Sequence, residues 1–359
     1  MPQPSYINLM DYQLHAKTIL PEPLWAYVHG AAGDGITAQS NLEAWQRLLL
    51  TPRVLKDLSG GHTDCNLLDQ IYSSPILIAP MAYQCLVHPD GELAMASAAA
   101  AQGIGFTLSI QTSTSMQHVA QTFLPQQGRG PLWFQLYLQY DLEFNRALIK
   151  EVESAGYQAI VLTIDAPING ARDQERKTGF TLPPHVTPVH LKNLIKEPPH
   201  QERIFELMKA HTTTWEDIDW LVANTKLPIF LKGITHPQDA LMAKDHGVYG
   251  LIVSNHGGRI LDTVAPTALL LPAIAKAIEG SMPIIVDGGI RRGTDIVKAL
   301  ALGATAVMVG RPFYYALACN GALGVAHAIK LLKDELEISM ILCGCRTLKE
   351  INHDILFQN

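Results

Sequence analysis

The stretch Ser254-Asn255-His256-Gly257-Gly258-Arg259 directly follows the apolar run Gly250-Leu251-Ile252-Val253. A strand therefore ends in a histidine and an arginine set three residues apart on a Gly-Gly turn, which lets both side chains face one small cavity. Histidine titrates near neutral pH and suits proton abstraction. An arginine fork suits a carboxylate. Asp165, which closes another apolar run, could hold the imidazole and stabilise its protonated form, in the orienting role familiar from catalytic triads.

Other strand ends are polar as well. Lys232 would lie inside the same rim, where its charge is costly unless partnered; an outward-reaching lysine or a pair with Asp165 is the plain alternative. A flavin that gains negative charge on reduction is a suitable partner, since at about 4 Å and an effective dielectric near 20 the attraction is of order 4 kcal/mol. Asp287-Gly288-Gly289-Ile290-Arg291 and Gly310-Arg311-Pro312 close two further runs. Glycine lets backbone N–H groups approach an anion closely, and Arg291 and Arg311 add charge-assisted contacts, so these two ends form a candidate phosphate site.

Eight short apolar runs supply these ends: residues 75–79, 105–109, 132–136, 159–163, 228–232, 250–254, 283–287 and 306–309. Helical spacing fills most intervals, at 92–102, 115–122, 142–155, 215–224, 237–246, 268–278 and 294–302, with a last stretch at 322–337. Continuous apolar strands, each followed by a helix, indicate a parallel sheet buried on both faces. Eight such units predict an α/β fold of the (β/α)₈ TIM-barrel type, whose active face is built where the strands end. The proline-rich connection after the fourth strand, about residues 166–214, reads as a lid or insertion. Residues 1–74, with helical patterns at 9–18 and 22–28 and a glycine-rich loop at 30–35, read as a segment capping one end of the barrel. The whole chain, 1–359, is thus expected to form one domain, with the barrel at 75–359.

Composition narrows the function. The chain is 48% hydrophobic and 17% charged, which is enough for a large core without disulfides. Net charge is −6 and no basic run occurs, so the electrostatic footprint of a nucleic-acid binder is missing. The N-terminus lacks the pattern of a signal peptide, and no apolar stretch reaches the roughly 18 residues of a membrane span, so a cytoplasmic protein is expected. Five cysteines are scattered and odd in number, which does not suggest a disulfide framework. Cys343-Gly344-Cys345 has no second pair or histidine cluster to complete a zinc site, and no metal is expected.

Ser254-Asn255-His256-Gly257-Gly258-Arg259-Ile260-Leu261-Asp262, followed by Asp287-Gly288-Gly289-Ile290-Arg291-Arg292-Gly293-Thr294-Asp295, resembles the FMN-dependent 2-hydroxy-acid oxidase family, which includes glycolate oxidase, lactate oxidase and related dehydrogenases. The resemblance runs from Ile7-Asn8-Leu9 through Ala79-Pro80-Met81-Ala82, Phe134-Gln135-Leu136-Tyr137 and Leu162-Thr163-Ile164-Asp165 to Gly344-Cys345-Arg346. It implies FMN as cofactor, an L-2-hydroxy acid as substrate and O2 as acceptor, giving the 2-oxo acid and hydrogen peroxide, in a homotetramer. By the same resemblance His256 is the base, oriented by Asp165. Arg259 and Tyr27 hold the substrate carboxylate with help from Arg172, and Tyr137 bonds the substrate hydroxyl. Lys232 sits at the flavin N1 and O2, with Ser109, Gln135 and Thr163 around the ring. Asp287 and Ser254 lie near the ribityl chain or ring edge, and Gly289, Arg291, Gly310 and Arg311 surround the phosphate. The backbone of Pro80, Met81 and Ala82 approaches N5.

Three departures concern the substrate. Gln111 stands where glycolate-preferring members place a tryptophan, which opens the pocket to a longer or polar side chain. Met81 replaces a small residue, and Arg172 lacks the arginine that often precedes it. Alternatives to the oxidase are a dehydrogenase with a quinone, cytochrome or other acceptor, an enzyme acting on a carrier- or peptide-bound hydroxy acid, and a flavin-binding scaffold without turnover. The last is opposed by the full set of polar side chains.

Overall fold

The computed structural model describes residues 5–192, 194, 204–205 and 212–357. The first helices are α1 (Leu9–Ile19), α2 (Glu22–His29) and α3 (Ile36–Arg47), followed by a hairpin of β1 (Cys65–Leu67) and β2 (Gln70–Tyr72). α1 starts at Asn8, whose side chain accepts from the Met10 and Asp11 amides while Asp11 accepts from the Asn8 amide, a reciprocal cap. The barrel units then follow: β3 (Ile76–Ile78), α4 (Gly91–Ala101), β4 (Gly105–Ser109), α5 (Met116–Phe123), β5 (Leu132–Leu136), α6 (Leu142–Ser154) and β6 (Ala159–Thr163). After α7 (Asp173–Thr178) come α8 (Trp215–Ala223), β7 (Ile229–Ile234), α9 (Pro237–Asp245), β8 (Gly250–Val253), α10 (Thr267–Ile278), β9 (Ile284–Val286), α11 (Gly293–Ala301), β10 (Ala306–Val309) and α12 (Arg311–Cys343).

Strands β3 to β10 pair in parallel and close on themselves between β10 and β3. The fold is the eight-stranded parallel barrel that the apolar runs predict. Alternate residues point inward, so Leu77, Trp133, Val161, Phe230, Ile252, Ile285 and Met308 fill the barrel. Their neighbours face the helices in the larger core. This two-sided burial is why the strands read as unbroken apolar runs.

The N-terminal segment reaches both ends of the barrel rather than one. Cys65, Leu67 and Tyr72 of the hairpin join the interior core, and Cys65 Sγ lies 3.4 Å from the carbonyl of Thr305, just ahead of β10. At the opposite end, the Ala32 amide donates to the Gly258 carbonyl and Trp45 Nε1 to the Gly288 carbonyl. The hairpin closes the bottom, and α2 and α3 wall the end where the strands finish.

α12 begins directly after β10, eleven residues before the stretch at 322–337 suggests, and breaks at Asn320 and Gly321. Its first turns, with Phe313, Tyr314, Tyr315 and Leu317 all buried, are apolar on every side and show no amphipathic period. By length and composition this helix is apolar enough to cross a membrane, contrary to the sequence reading, yet half of that stretch is buried in the protein. Cys343 and Cys345 are both buried free thiols. The connection after β6 is partly described. It contains α7 and a single turn at Val189–Leu191, whereas Pro198 and Pro199 lie outside the described residues.

Candidate active site

The strand ends surround one cavity of about 1300 Å³. Every candidate residue lines it except Asp165 and Ser254, which stand one layer behind. Ser254 is fully buried and its Oγ accepts from Lys232 Nζ.

His256 follows β8 and lies with Nδ1 2.8 Å from Asp165 Oδ1, leaving Nε2 for the cavity. Burial and then the charge of Lys232 lower the histidine pKa, against the opposing pull of Asp165. Burial alone would raise the Asp165 carboxyl, but Lys232 and His256 outweigh it and hold the group ionised. The pair is thus a neutral imidazole backed by a carboxylate, the resting state of a general base. Gly233 makes the contact possible. Its φ is +114°, and a Cβ there would lie 2.5 Å from Asp165 Cβ.

Lys232 comes from β7, where the register shifts between Lys232 and Ile234. Its Nζ donates to Ser254 Oγ at 2.9 Å and pairs with Asp287 Oδ2 at 3.3 Å. The buried ion pair is with Asp287 and not with Asp165, although burial, which would lower the lysine pKa, is outweighed by both carboxylates. Asp287 Oδ1 has no partner, nor does the buried Nε2 of Gln135, whose Oε1 accepts from Ser109 Oγ at 2.9 Å. Tyr137 is half-buried, and desolvation pushes its pKa up to about 12, so it stays a hydroxyl.

Cations collect in two places. Arg259 is anchored by the carbonyls of Tyr27 and Gly30, each at 2.8 Å, and its guanidinium carbon lies 5.7 Å from the centre of the Tyr27 ring. Burial and the nearby Arg172 bring its pKa down to about 10. Burial and Arg311 do the same to Arg291, also to about 10. Arg311 donates to the carbonyl of Gly257 at 2.6 Å. Among the described residues no carboxylate pairs with Arg259, Arg291 or Arg311, while Arg172 has Glu175 at 3.3 Å. Two partly buried pairs of guanidinium groups, with one carboxylate among the described residues between the four of them, are each suited to an anion.

The sites differ in kind. Arg259, Arg172 and Tyr27 flank His256, as a carboxylate clamp must. Arg291 and Arg311 lie with Gly289 and Gly310 at the ends of β9 and β10, where barrels hold cofactor phosphates. The cofactor implied by the resemblance fits: Gln135 carries an unpartnered buried amide donor and Arg291 an unpartnered buried Nε, both suited to an acceptor-rich molecule, and Lys232 is a buried cation on the same cavity. The volume leaves room for a small acid beside it.

Sequence reading missed four supports. Glu92 of α4, fully buried, accepts from the Gln84 and Ser113 amides and from Thr114 Oγ1, tying the loop of Met81 and Ala82 to that of Gln111. Phe180 stacks on Tyr27 with ring centres 4.5 Å apart. Asn41 and Trp45 of α3 reach the ends of β8 and β9. An acidic residue inside an alanine-rich helix was the signal available for Glu92.

Comparison with known proteins agrees with this geometry. Residues 16–358 match the family model described as FMN-dependent dehydrogenase. An L-lactate oxidase of Roseobacter sp. (strain GAI101) is 44% identical, over 98% of this chain and 94% of that protein. Glycolate oxidase 1 of Zea mays is 42% identical over 96% and 94%. Among solved structures, a mandelate oxidase with (S)-2-phenylpropionate superposes with a TM-score of 0.89 at 36% identity, covering 99% of both chains.

Proposed function

This chain belongs to the FMN-dependent dehydrogenase family, and we propose that it is an oxidase converting an L-2-hydroxy acid and O2 to the 2-oxo acid and hydrogen peroxide. The observation that carries the reading is His256, backed by Asp165, with Arg172 beside it and with Arg259, which no carboxylate pairs among the described residues. That is the arrangement a carboxylate with an adjacent CH–OH group requires.

When bound, FMN supplies the two-electron acceptor for cleavage of the substrate C–H bond. Lys232 would hold its pyrimidine edge, Ser109, Gln135 and Thr163 its ring, and Gly289, Arg291, Gly310 and Arg311 its phosphate. The protein supplies the rest. Arg259, Arg172 and Tyr27 take the substrate carboxylate and fix the α-carbon. Tyr137, which remains protonated, offers a hydrogen bond to the substrate oxygen. His256 Nε2 takes a proton, and Asp165 stabilises the imidazolium so formed. Phe180, stacked on Tyr27, helps exclude water from the clamp.

Gln111 and Met81 line the same cavity. The Gln111 side chain has no partner among the described residues, which supports a substrate longer or more polar than glycolate. Assembly into a homo-oligomer belongs to the same proposal. Ile338, Ile341 and Leu342, exposed on one face of α12, support it, and sedimentation velocity tests it.

The deciding experiment is anaerobic titration of the purified holoprotein with L-lactate, glycolate, L-mandelate and longer or polar L-2-hydroxy acids, followed at the visible flavin band. Bleaching by one acid, and rapid recovery with peroxide on admitting air, is the expected result. Slow recovery in air would replace O2 by another acceptor, and no bleaching by any acid would overturn the reading.

A further inference from the structure

We propose that Asn41, a residue of the N-terminal segment outside the barrel, is a positioning residue that holds the base His256 in a backbone conformation it would not otherwise keep. The inference rests on the oxidase reading above. His256, Gly257 and Gly258 have φ of +56°, +63° and +74°, three successive left-handed residues. Two are glycines, for which this region is ordinary. The third is the base itself, for which it is strained, so surrounding contacts must impose the turn.

The His256 amide donates to Ser254 Oγ at 3.1 Å, Arg311 to the Gly257 carbonyl at 2.6 Å and the Ala32 amide to the Gly258 carbonyl at 2.9 Å, while Asn255 anchors the start of the turn. Its carbonyl accepts from the Gly258 amide at 2.9 Å, closing the turn. Its side chain is locked to Asn41 by two reciprocal amide hydrogen bonds, each 2.9 Å, with both residues at least 95% buried. Asn255 Nδ2 also lies 3.2 Å from the Ala265 carbonyl, and Asn41 Oδ1 accepts from the Thr267 amide at 3.2 Å. A buried amide pair has no water to fall back on, so its orientation is fixed by its partners.

The same helix grips the cofactor side of the site. One turn on from Asn41, Trp45 Nε1 donates to the Gly288 carbonyl at 2.8 Å, in the turn that follows Asp287. Thr267 Oγ1, beside Asn41, meets the Asp287 carbonyl at 2.6 Å. α3 therefore spans the ends of β8 and β9 and sets the base turn against the flavin turn. Asn41 does not line the cavity, and the effect proposed for it passes through Asn255 to His256.

The test is the rate of flavin reduction by the active 2-hydroxy acid in anaerobic stopped flow, for wild type, Asn41→Ala, His256→Gln and the double variant, all loaded with FMN. Asn41→Ala is expected to reduce about 10²-fold more slowly, as a displaced reacting group does. Its reduction by dithionite, which needs no base, stays unchanged. In the His256→Gln background, adding Asn41→Ala changes nothing further. Where Asn41→Ala fails to accumulate as holoprotein, Asn41→Asp takes its place; it keeps the acceptor oxygen and the shape but turns an oxygen towards Asn255 Oδ1. Wild-type speed in the single variant, or an equal loss with and without His256, overturns the inference. Failure of the wild type to be reduced by any 2-hydroxy acid would instead overturn the oxidase reading.

Discussion

The basicity of His256 is set by opposed neighbours: burial and Lys232 push its pKa down, and Asp165, 2.8 Å away, pulls it up. The neutral imidazole is the working form, so kcat/KM falls as pH drops below this lowered value. Replacing Asp165 by Asn removes the contribution that raises the pKa. The acid limb of the kcat/KM profile should then move to lower pH, and the plateau should fall about 10²-fold because the imidazolium loses its counter-ion. A limb that stays in place would mean that another group titrates. At this scale much was legible, because His256, Arg259, Asp165 and Lys232 each close an apolar run where a turn residue would suffice. The partner of Lys232 was not. Asp165 and Asp287 each close an apolar run, and the structure pairs Lys232 with Asp287 at 3.3 Å.

The irregularity in β7 is an element-scale device. The strand shifts register between Lys232 and Ile234, and Gly233, at φ +114°, lets the backbone of β7 pass close to Asp165. Gly233→Ala would strain the backbone and drive a methyl group into the carboxylate side chain. Thermal denaturation should show a loss of more than about 1 kcal/mol, and flavin reduction should slow beyond what the lost stability explains, because Asp165 can no longer back the base. Unchanged reduction in the folded variant would detach Gly233 from the site. The eight strands were readable because burial on both faces leaves only apolar residues. α3 was not, because Thr37 and Asn41, two of the four residues it buries, are polar, and the apolar stripe that marks a helix is absent. Its polar face is turned to the site instead, which is why a functional helix hid from a hydrophobicity pattern. The three-residue strands of the hairpin were too short to register.

At the scale of the molecule, two neutral histidines tie non-barrel parts of the site to the barrel. His29 of α2 meets Tyr315 Oη at 2.8 Å and stacks on Trp25, two residues from Tyr27 in the clamp. His190, in the connection after β6, accepts from the Met116 amide at 3.0 Å next to Leu191 on the cavity wall. Burial lowers both to about 4, with Arg311 and Arg291 adding to the effect at His29. In the unfolded chain each titrates near 6.5, so between about 6.5 and 4 the unfolded state binds protons that the folded state refuses. Stability due to these groups is complete above 6.5 and is lost as pH falls through the folded values. Urea unfolding from pH 7.5 to 4.5 should show a steady decline, and the double variant His29→Gln, His190→Gln should flatten it by up to two protons while leaving the contributions of Asp165 and His256 in place. An unchanged slope would assign the acid loss elsewhere. Protonation of either ring loosens a wall of the cavity before it unfolds the barrel, so flavin fluorescence should rise, through release of the cofactor, at a higher pH than that at which far-ultraviolet circular dichroism is lost.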